Sequence, residues 1–166
     1  MSPPVRVTPV TAELRAAVLA VAVHPGQVPF AGRTADSLAD AAVCPGSEAL
    51  ALLVDEAVVG YVRIDRRATA LGDHPLADGA VALRSFMIDA GRQGQGLGRR
   101  ALDAIQAYAE GRHPDRERIV LTVNLRNEAA VHLYRRAGYR EDDELYHGGP
   151  AGPQYVMWRP LHPWTH

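Results

Sequence analysis

Between an apolar run, Val81 to Ile88, and an amphipathic run that begins at Gly94, the chain reads Gln93-Gly94-Gln95-Gly96-Leu97-Gly98. Glycine weakens the interior of a strand or a helix, so three of them alternating mark the place where one element turns into the next. After the turn, Leu97, Ala101, Leu102, Ile105 and Tyr108 fall on one helical face. Gly111 and Pro114 are expected to end that helix, and Ile119 to Val123 follows as an apolar strand. Strand, helix and strand in about 43 residues make a βαβ crossover, so Val81 to Ile88 and Ile119 to Val123 are expected to be parallel. At such a turn the first N–H groups of the helix lack intrahelical partners and the helix dipole is positive. It can therefore cradle a pyrophosphate, or it can simply let the chain bend.

The rest of the chain surrounds this unit with shorter elements. Val5 to Val10 alternates like a strand, and Thr11 can cap a helix from about Ala12 to Val23. Thr34 or Asp36 opens a second helix that stops near Cys44-Pro45-Gly46. Ala49 to Val54 and Val58 to Ile64 read as a tight antiparallel hairpin around Asp55-Glu56-Ala57. Arg66 to Gly79 reads as a loop. Asn127 caps a helix to Ala137, Gly138 ends it, and Tyr139 to Leu145 with Gln154 to Trp158 make a last antiparallel pair. The expected fold is a mixed α/β (α+β) single domain, residues 1–166. A central, mostly antiparallel sheet of six or seven strands carries one parallel pair and about four flanking helices.

Composition removes several function classes. All 18 basic residues are arginine, which excludes a Schiff-base lysine and a Walker lysine. Cys44 is the only cysteine, so neither an intrachain disulfide nor a multi-cysteine zinc site can form, and no metal is expected. The longest near-apolar stretch, Ala12 to Val23, is short and charged, and Met1-Ser2-Pro3-Pro4 shows no secretory signal. A cytoplasmic protein with no membrane partner is the expectation. Arg92 to Arg140 is rich in arginine and could attract an anionic ligand, but the acidic run Glu141-Asp142-Asp143-Glu144 follows at once. A nucleic-acid protein would be basic throughout, so no nucleic acid is expected.

Two phosphate motifs can be tested on the turn. A Walker loop needs a lysine where Leu97 stands. A dinucleotide fingerprint needs G-x-G-x-x-G, which Gly94, Gly96 and Gly98 do not give, and an acidic residue after the next strand, which ends in Val123-Asn124. The turn instead resembles the pyrophosphate loop Q/R-x-x-G-x-G/A of the GCN5-related N-acetyltransferase (GNAT) superfamily, matched by Gln93, Gly96 and Gly98. Asn127-Glu128-Ala129-Ala130-Val131-His132-Leu133-Tyr134 resembles that family's later N-x-x-A-x-x-x-Y helix, and Ala137-Gly138-Tyr139 follows as it does there.

The resemblance implies acetyl-CoA as co-substrate and acetyl transfer to a primary amine in a direct ternary complex. It implies that Gln93, Gly94, Gln95, Gly96, Leu97, Gly98 and Arg99 hold the pyrophosphate, with Arg92 and Arg100 adding charge. The parallel pair would splay apart as in that family, the exposed backbone of Phe86, Met87 and Ile88 in the gap would take the pantetheine arm, Asn127 would reach the same arm, and an N–H near Ile88 would meet the oxyanion. Tyr134, seven residues after Asn127 on one helix, can face the same groove. There a phenol can protonate or stabilise the departing thiolate, so Tyr134 is the expected general acid. Glu56, Asp65, His74 and Asp89, or a water chain, are the candidate acceptors of the amine's proton. A CoA-binding module without turnover and a nucleotide-dependent oxidoreductase are the rival classes.

Over nearly the whole length the chain also resembles bacterial spermine/spermidine (diamine) N-acetyltransferases, in Val7-Thr8-Pro9-Val10, Gln27-Val28-Pro29-Phe30-Ala31 with Ser37-Leu38-Ala39, Val59-Gly60-Tyr61 and Arg84-Ser85-Phe86-Met87-Ile88-Asp89. Where those relatives carry a G-E pair entering the last strand, this chain has Gly152-Pro153-Gln154. A polyamine would need carboxylates around each ammonium. Glu141 to Glu144 are candidates, as are Phe30, Tyr61 and Tyr155 for stacking on a cation. The final hairpin could support a homodimer, and His162, Trp164 and His166 read as a loose tail.

Overall fold

A computed structural model describes residues 3–28, 32–148 and 152–162. Among them one sheet holds β1 (Val5–Pro9), β2 (Ser47–Val54), β3 (Ala57–Asp65), β4 (Ala80–Ile88), β5 (Arg118–Asn124), β6 (Arg140–Tyr146) and β7 (Gln154–Pro160). Their spatial order is β1-β2-β3-β4-β5-β7-β6. β4 and β5 are parallel and every other neighbouring pair is antiparallel. The flanking helices are α1 (Arg15–Leu19), α2 (Thr34–Val43), α3 (Leu97–Arg112) and α4 (Glu128–Arg136). This is the α/β arrangement expected from the crossover.

Alternation along the strands sorts side chains to two faces. Leu50, Leu52, Ile64, Val81, Leu83, Ile119 and Leu121 point to the face covered by α3 and α4, where Leu97, Ala101, Leu102 and Ile105 complete the main core. Ala51, Leu53, Tyr61 and Met87 point the other way, against Val18 of α1, Val21 and Leu38 of α2. Beside them Ala80, Ala82, Val120 and Val156 pack with Ala68 from the 66–79 loop.

Two helix boundaries differ from expectation. The first helix is one short turn rather than Ala12 to Val23, because the chain beyond Ala20 is captured by another segment: Ala22 N–H donates to Asp89 Oδ1 (3.0 Å) and Ala90 N–H donates to the Ala22 carbonyl (2.8 Å). Those bonds cannot coexist with an i→i−4 ladder through the same groups. α3 runs through Gly111 to Arg112, so Gly111 does not stop it, and the helix closes at His113 ahead of Pro114. No helix among the described residues is long and apolar enough to cross a membrane.

The opening sits at the centre of the sheet. β4 and β5 are paired only at Ala80, Val81 and Ala82 with Arg118, Ile119 and Val120. Beyond that the strands part, so the chain from Leu83 to Ile88 faces Leu121 to Asn124 across a gap. β4 also carries one extra residue against β3, since Tyr61 pairs with Met87 and Arg63 with Arg84. Ser85 has φ 53°, the conformation that accommodates the extra residue. The bulge sends Arg84 toward the second face, where it meets Asp65, while Phe86 packs against the main core beside Tyr134.

Candidate active site

The gap between β4 and β5 opens into a cavity of about 970 Å3. That is the size of a cleft for a large cofactor. Of the residues expected to bind one, Phe86, Met87, Ile88, Gln93, Gly94, Gly96, Leu97, Gly98, Arg99, Asn127 and Tyr134 line it. Gln95 does not; its carbonyl accepts a hydrogen bond from Arg100 (3.5 Å), outside the lining.

The glycine turn is built for close backbone approach. Gly94 and Gly96 have φ of 80° and 73°, and a Cβ on either would meet nothing within 4 Å. Their glycine is required by conformation, not by crowding. Gly96 is the N-cap of α3 without a side-chain cap, which leaves the first N–H groups of the helix, from Leu97 onward, facing the cavity. Arg92 and Arg99 line the same region. Dipole, free donors and guanidinium charge converge there, and the site fits an anionic cofactor.

Gln93 has a role the sequence does not reveal. Its amide Nε2 donates to the Ile88 carbonyl (2.9 Å) and to Gln27 Oε1 (3.0 Å), while its own Oε1 accepts from Gln27 Nε2 (3.2 Å). The side chain therefore clamps the turn to the end of β4 and to the 22–27 segment. Gln27 also lines the cleft; the sequence placed it in a loop and in the stretch of resemblance but assigned it no part in the site.

At the far wall Tyr134 is 8% exposed, its ring 6.4 Å from Phe86 and 5.5 Å, edge-on, from Tyr139. Burial pushes its phenol well above the ordinary value, so the hydroxyl stays protonated and has a proton to donate at neutral pH. Gly138, at φ 94°, turns the chain after α4 and returns Tyr139 beneath Tyr134. Asn127 occupies the N-cap position of α4 without a side-chain capping bond. Asn124 holds the preceding turn instead, accepting from Arg126 N–H (2.9 Å), so the Asn127 amide is left to the cleft.

Other expected groups lie elsewhere. Of the four candidate bases none lines the cleft: Glu56 is on the β2–β3 turn, Asp89 accepts from Ala22 and Gly91 N–H, and His74 Nε2 lies 3.3 Å from Asp142. Asp65 is almost buried, held by Arg63 Nε (2.9 Å), Ser47 (2.6 Å) and Arg84 (3.0 Å). The acidic run forms the edge strand β6, with Glu141 paired to Arg135. Tyr61 is sealed in the core against Ser37 (2.9 Å), and Arg135 lies over the Tyr155 ring (5.9 Å). Phe30, Trp164 and His166 lie outside the described residues. Arg84 and Arg136, to which the sequence assigned no role, do line the cleft. A lone arginine inside the apolar run Val81 to Ile88 was the available signal for Arg84.

Residues 24–139 match the acetyltransferase (GNAT) family. The spermine/spermidine N(1)-acetyltransferase of Bacillus subtilis (strain 168) is 29% identical over 145 residues, covering 87% of this chain and 93% of that protein. The fold is shared with a spermidine N-acetyltransferase from Vibrio cholerae, solved in complex with CoA and spermine. Its TM-score is 0.69, its identity 13%, and the match covers 95% of this chain and 96% of that one. It is shared also with an aminoglycoside N(6')-acetyltransferase from Legionella pneumophila, with a TM-score of 0.73, 19% identity and coverage of 97% and 94%. With the family match spanning most of the chain, the glycine turn and the splayed strands are those of an acetyltransferase, and the chain belongs to the acetyltransferase (GNAT) family.

Proposed function

We propose that this acetyltransferase moves an acetyl group from acetyl-CoA to a primary amine within one ternary complex, with Tyr134 as general acid. The observation that carries the reading is the convergence on one cleft of the α3 N-terminus, the part of β4 not paired with β5, Asn127 and Tyr134. Bound acetyl-CoA supplies the activated acyl group. The turn from Gly94 to Arg99 holds the pyrophosphate through backbone N–H groups, and the free edge of β4 from Phe86 to Ile88 offers main-chain groups to the pantetheine arm.

The amine must arrive neutral, since an ammonium has no lone pair. As its nitrogen bonds to the acyl carbon, charge develops on the acyl oxygen, where a backbone N–H near Ile88 serves as donor. The C–S bond then breaks. The Tyr134 hydroxyl donates to the departing sulfur, which leaves as the thiol, and the proton lost from nitrogen passes to solvent water, which returns a proton to the Tyr134 phenolate. No carboxylate or imidazole side chain lines the cleft among the described residues, which favours water over a side-chain base.

Thiol release across polyamines, aminoglycosides, amino acids and peptide N-termini tests the reaction, and the names of the relatives make spermidine and an aminoglycoside natural members of that panel. Tyr134→Phe tests the acid: kcat is expected to fall about a hundredfold or more while the acetyl-CoA dissociation constant stays close to wild type. A variant with full kcat would remove Tyr134 from the mechanism.

A further inference from the structure

The cleft is lined by Arg84, Arg92, Arg99 and Arg136 and, among the described residues, by no aspartate or glutamate. The smaller cavity on the opposite side of the splayed pair, which shares Leu83, Arg84, Leu121 and Thr122 with it, has none either. The segments outside the described residues cannot supply any, since positions 1–2, 29–31, 149–151 and 163–166 carry no acidic side chain. A polycationic acceptor would thus find no carboxylate in the cleft, and each desolvated ammonium would lack a partner.

Arg84 differs from the other three arginines in place and in setting. Arg92 and Arg99 flank the glycine turn and Arg136 ends α4. Arg84 rises from the floor of the cleft on the bulged strand, on the sheet face away from α3 and α4, and reaches both cavities. Its Nη1 donates to Asp65 Oδ2 (3.0 Å). Asp65 is itself saturated by Arg63 and Ser47, and Arg63 is nearly buried and also bonded to Asp40. The buried partners fix the guanidinium without consuming it: 40% of the Arg84 side chain is exposed, and its Nε and Nη2 have no hydrogen-bond partner among the described residues. A planar fork with two free donors, fixed from behind, suits a carboxylate.

We propose that the acceptor is a primary amine that also carries a carboxylate, and that Arg84 binds this carboxylate and so turns the amine toward the thioester. The assignment rests on the acetyltransferase reading above and names the acceptor class for the same site. Polyamines, which lack an anionic group, are then poor acceptors.

The test compares α-, β- and γ-amino acids with their own carboxamides and with spermidine, following thiol release from acetyl-CoA on the wild-type protein. kcat/KM is expected to be about tenfold to a hundredfold higher for the best acid than for its amide, the scale of one charge-assisted contact. An amide's α-amine is the less basic and more of it is neutral at a given pH, so for the α-pair this bias runs against the expected result. In Arg84→Gln the acid-to-amide ratio is expected to fall toward one, and in Arg84→Lys to recover in part. A purely structural Arg84 would lower both rates together and keep the ratio, which overturns the assignment. So does spermidine turning over as well as the best acid, or a wild-type ratio near one, and both readings need no variant to fold. No thiol release from any amine would sink the transferase reading and this assignment with it, whereas release favouring polyamines sinks this assignment alone.

Discussion

Gly96 and Gly98 stand two residues apart in one motif and need glycine for different reasons. Gly96 has φ 73° and open space where a Cβ would go, so alanine there brings backbone strain and no clash. Gly98 is inside α3 with ordinary helical geometry, and its Cβ would lie 2.9 Å from Leu133 Cδ2, the movable end of a side chain. Gly96→Ala is expected to cost roughly 1–2 kcal/mol, the price of a left-handed alanine. Gly98→Ala gains up to about 1 kcal/mol of helix propensity, which offsets the displacement of Leu133 and leaves stability near wild type. Denaturant unfolding of the two variants separates them, and equal losses would refute this division. At this scale much of the site is legible, because Asn127 and Tyr134 share a helix and their seven-residue spacing fixes a common face. What the residues do through space is less so. Gln93 stands in the motif, but its amide is occupied by Gln27, 66 residues away, and local spacing carries no trace of such a partner.

Among the elements, β4 decides how the cleft opens, and it departs most from its reading as a plain strand. The parallel pairing with β5 followed from the crossover, and the splay of the pair followed from the family resemblance, but neither its start after Ala82 nor the bulge at Ser85 left a mark in the residue types. Without that extra residue Arg84 and Phe86 would share a face, as residues two apart do in a regular strand. The short α1 was illegible for a related reason. Its apolar run is helical by pattern, and only the distant Asp89 and Ala90 withdraw its last residues from the helix. The other side of β4 is set by Gly60, where β3 approaches so closely that a Cβ would lie 2.4 Å from the Met87 carbonyl oxygen. Backbone cannot step aside as a side-chain tip can. Gly60→Ala is expected to destabilise by about 1–3 kcal/mol, as overpacked sites do, and to move the Met87–Ile88 edge. Acetyl-CoA affinity should fall along with the denaturation midpoint. An unchanged affinity in a destabilised variant would mean that this stretch of β4 does not hold the cofactor.

Sequence periodicity reached the β2–β3 hairpin, the parallel β4–β5 pair and the final β6–β7 pair; the order of the whole sheet, with β7 inserted between β5 and β6, and the burial of titratable groups between distant elements were beyond it. Those groups set how stability varies with pH. His113 is buried at the end of α3, where Arg66 Nη1 lies 3.2 Å from its Nδ1 and Glu48 Oε1 lies 3.0 Å from its Nε2. A guanidinium can only donate, so Nδ1 is the acceptor and Nε2–H donates to Glu48: the ring is neutral. Burial, the largest influence, pulls its pKa below the ordinary value, with Arg66 and Arg112 acting the same way against the opposing pull of Glu48. The unfolded chain therefore takes up a proton near pH 6.5 that the folded chain refuses, and stability falls as pH drops from there. At the alkaline end Tyr61, Tyr134 and Tyr139 are raised chiefly by burial, and Tyr108 is pushed up to about 12 by burial and by its bond to Glu48 (2.7 Å). Here the folded chain keeps protons that the unfolded chain releases above about pH 10, so stability falls again as pH rises. Thermal melts across pH are expected to show a plateau between roughly 6.5 and 10, with the alkaline side the steeper because several phenols share it. His113→Gln should flatten the acid side alone and Tyr139→Phe should soften the alkaline side alone. An acid limb that begins only below pH 4 in the wild type would show that carboxylates, not His113, govern that side.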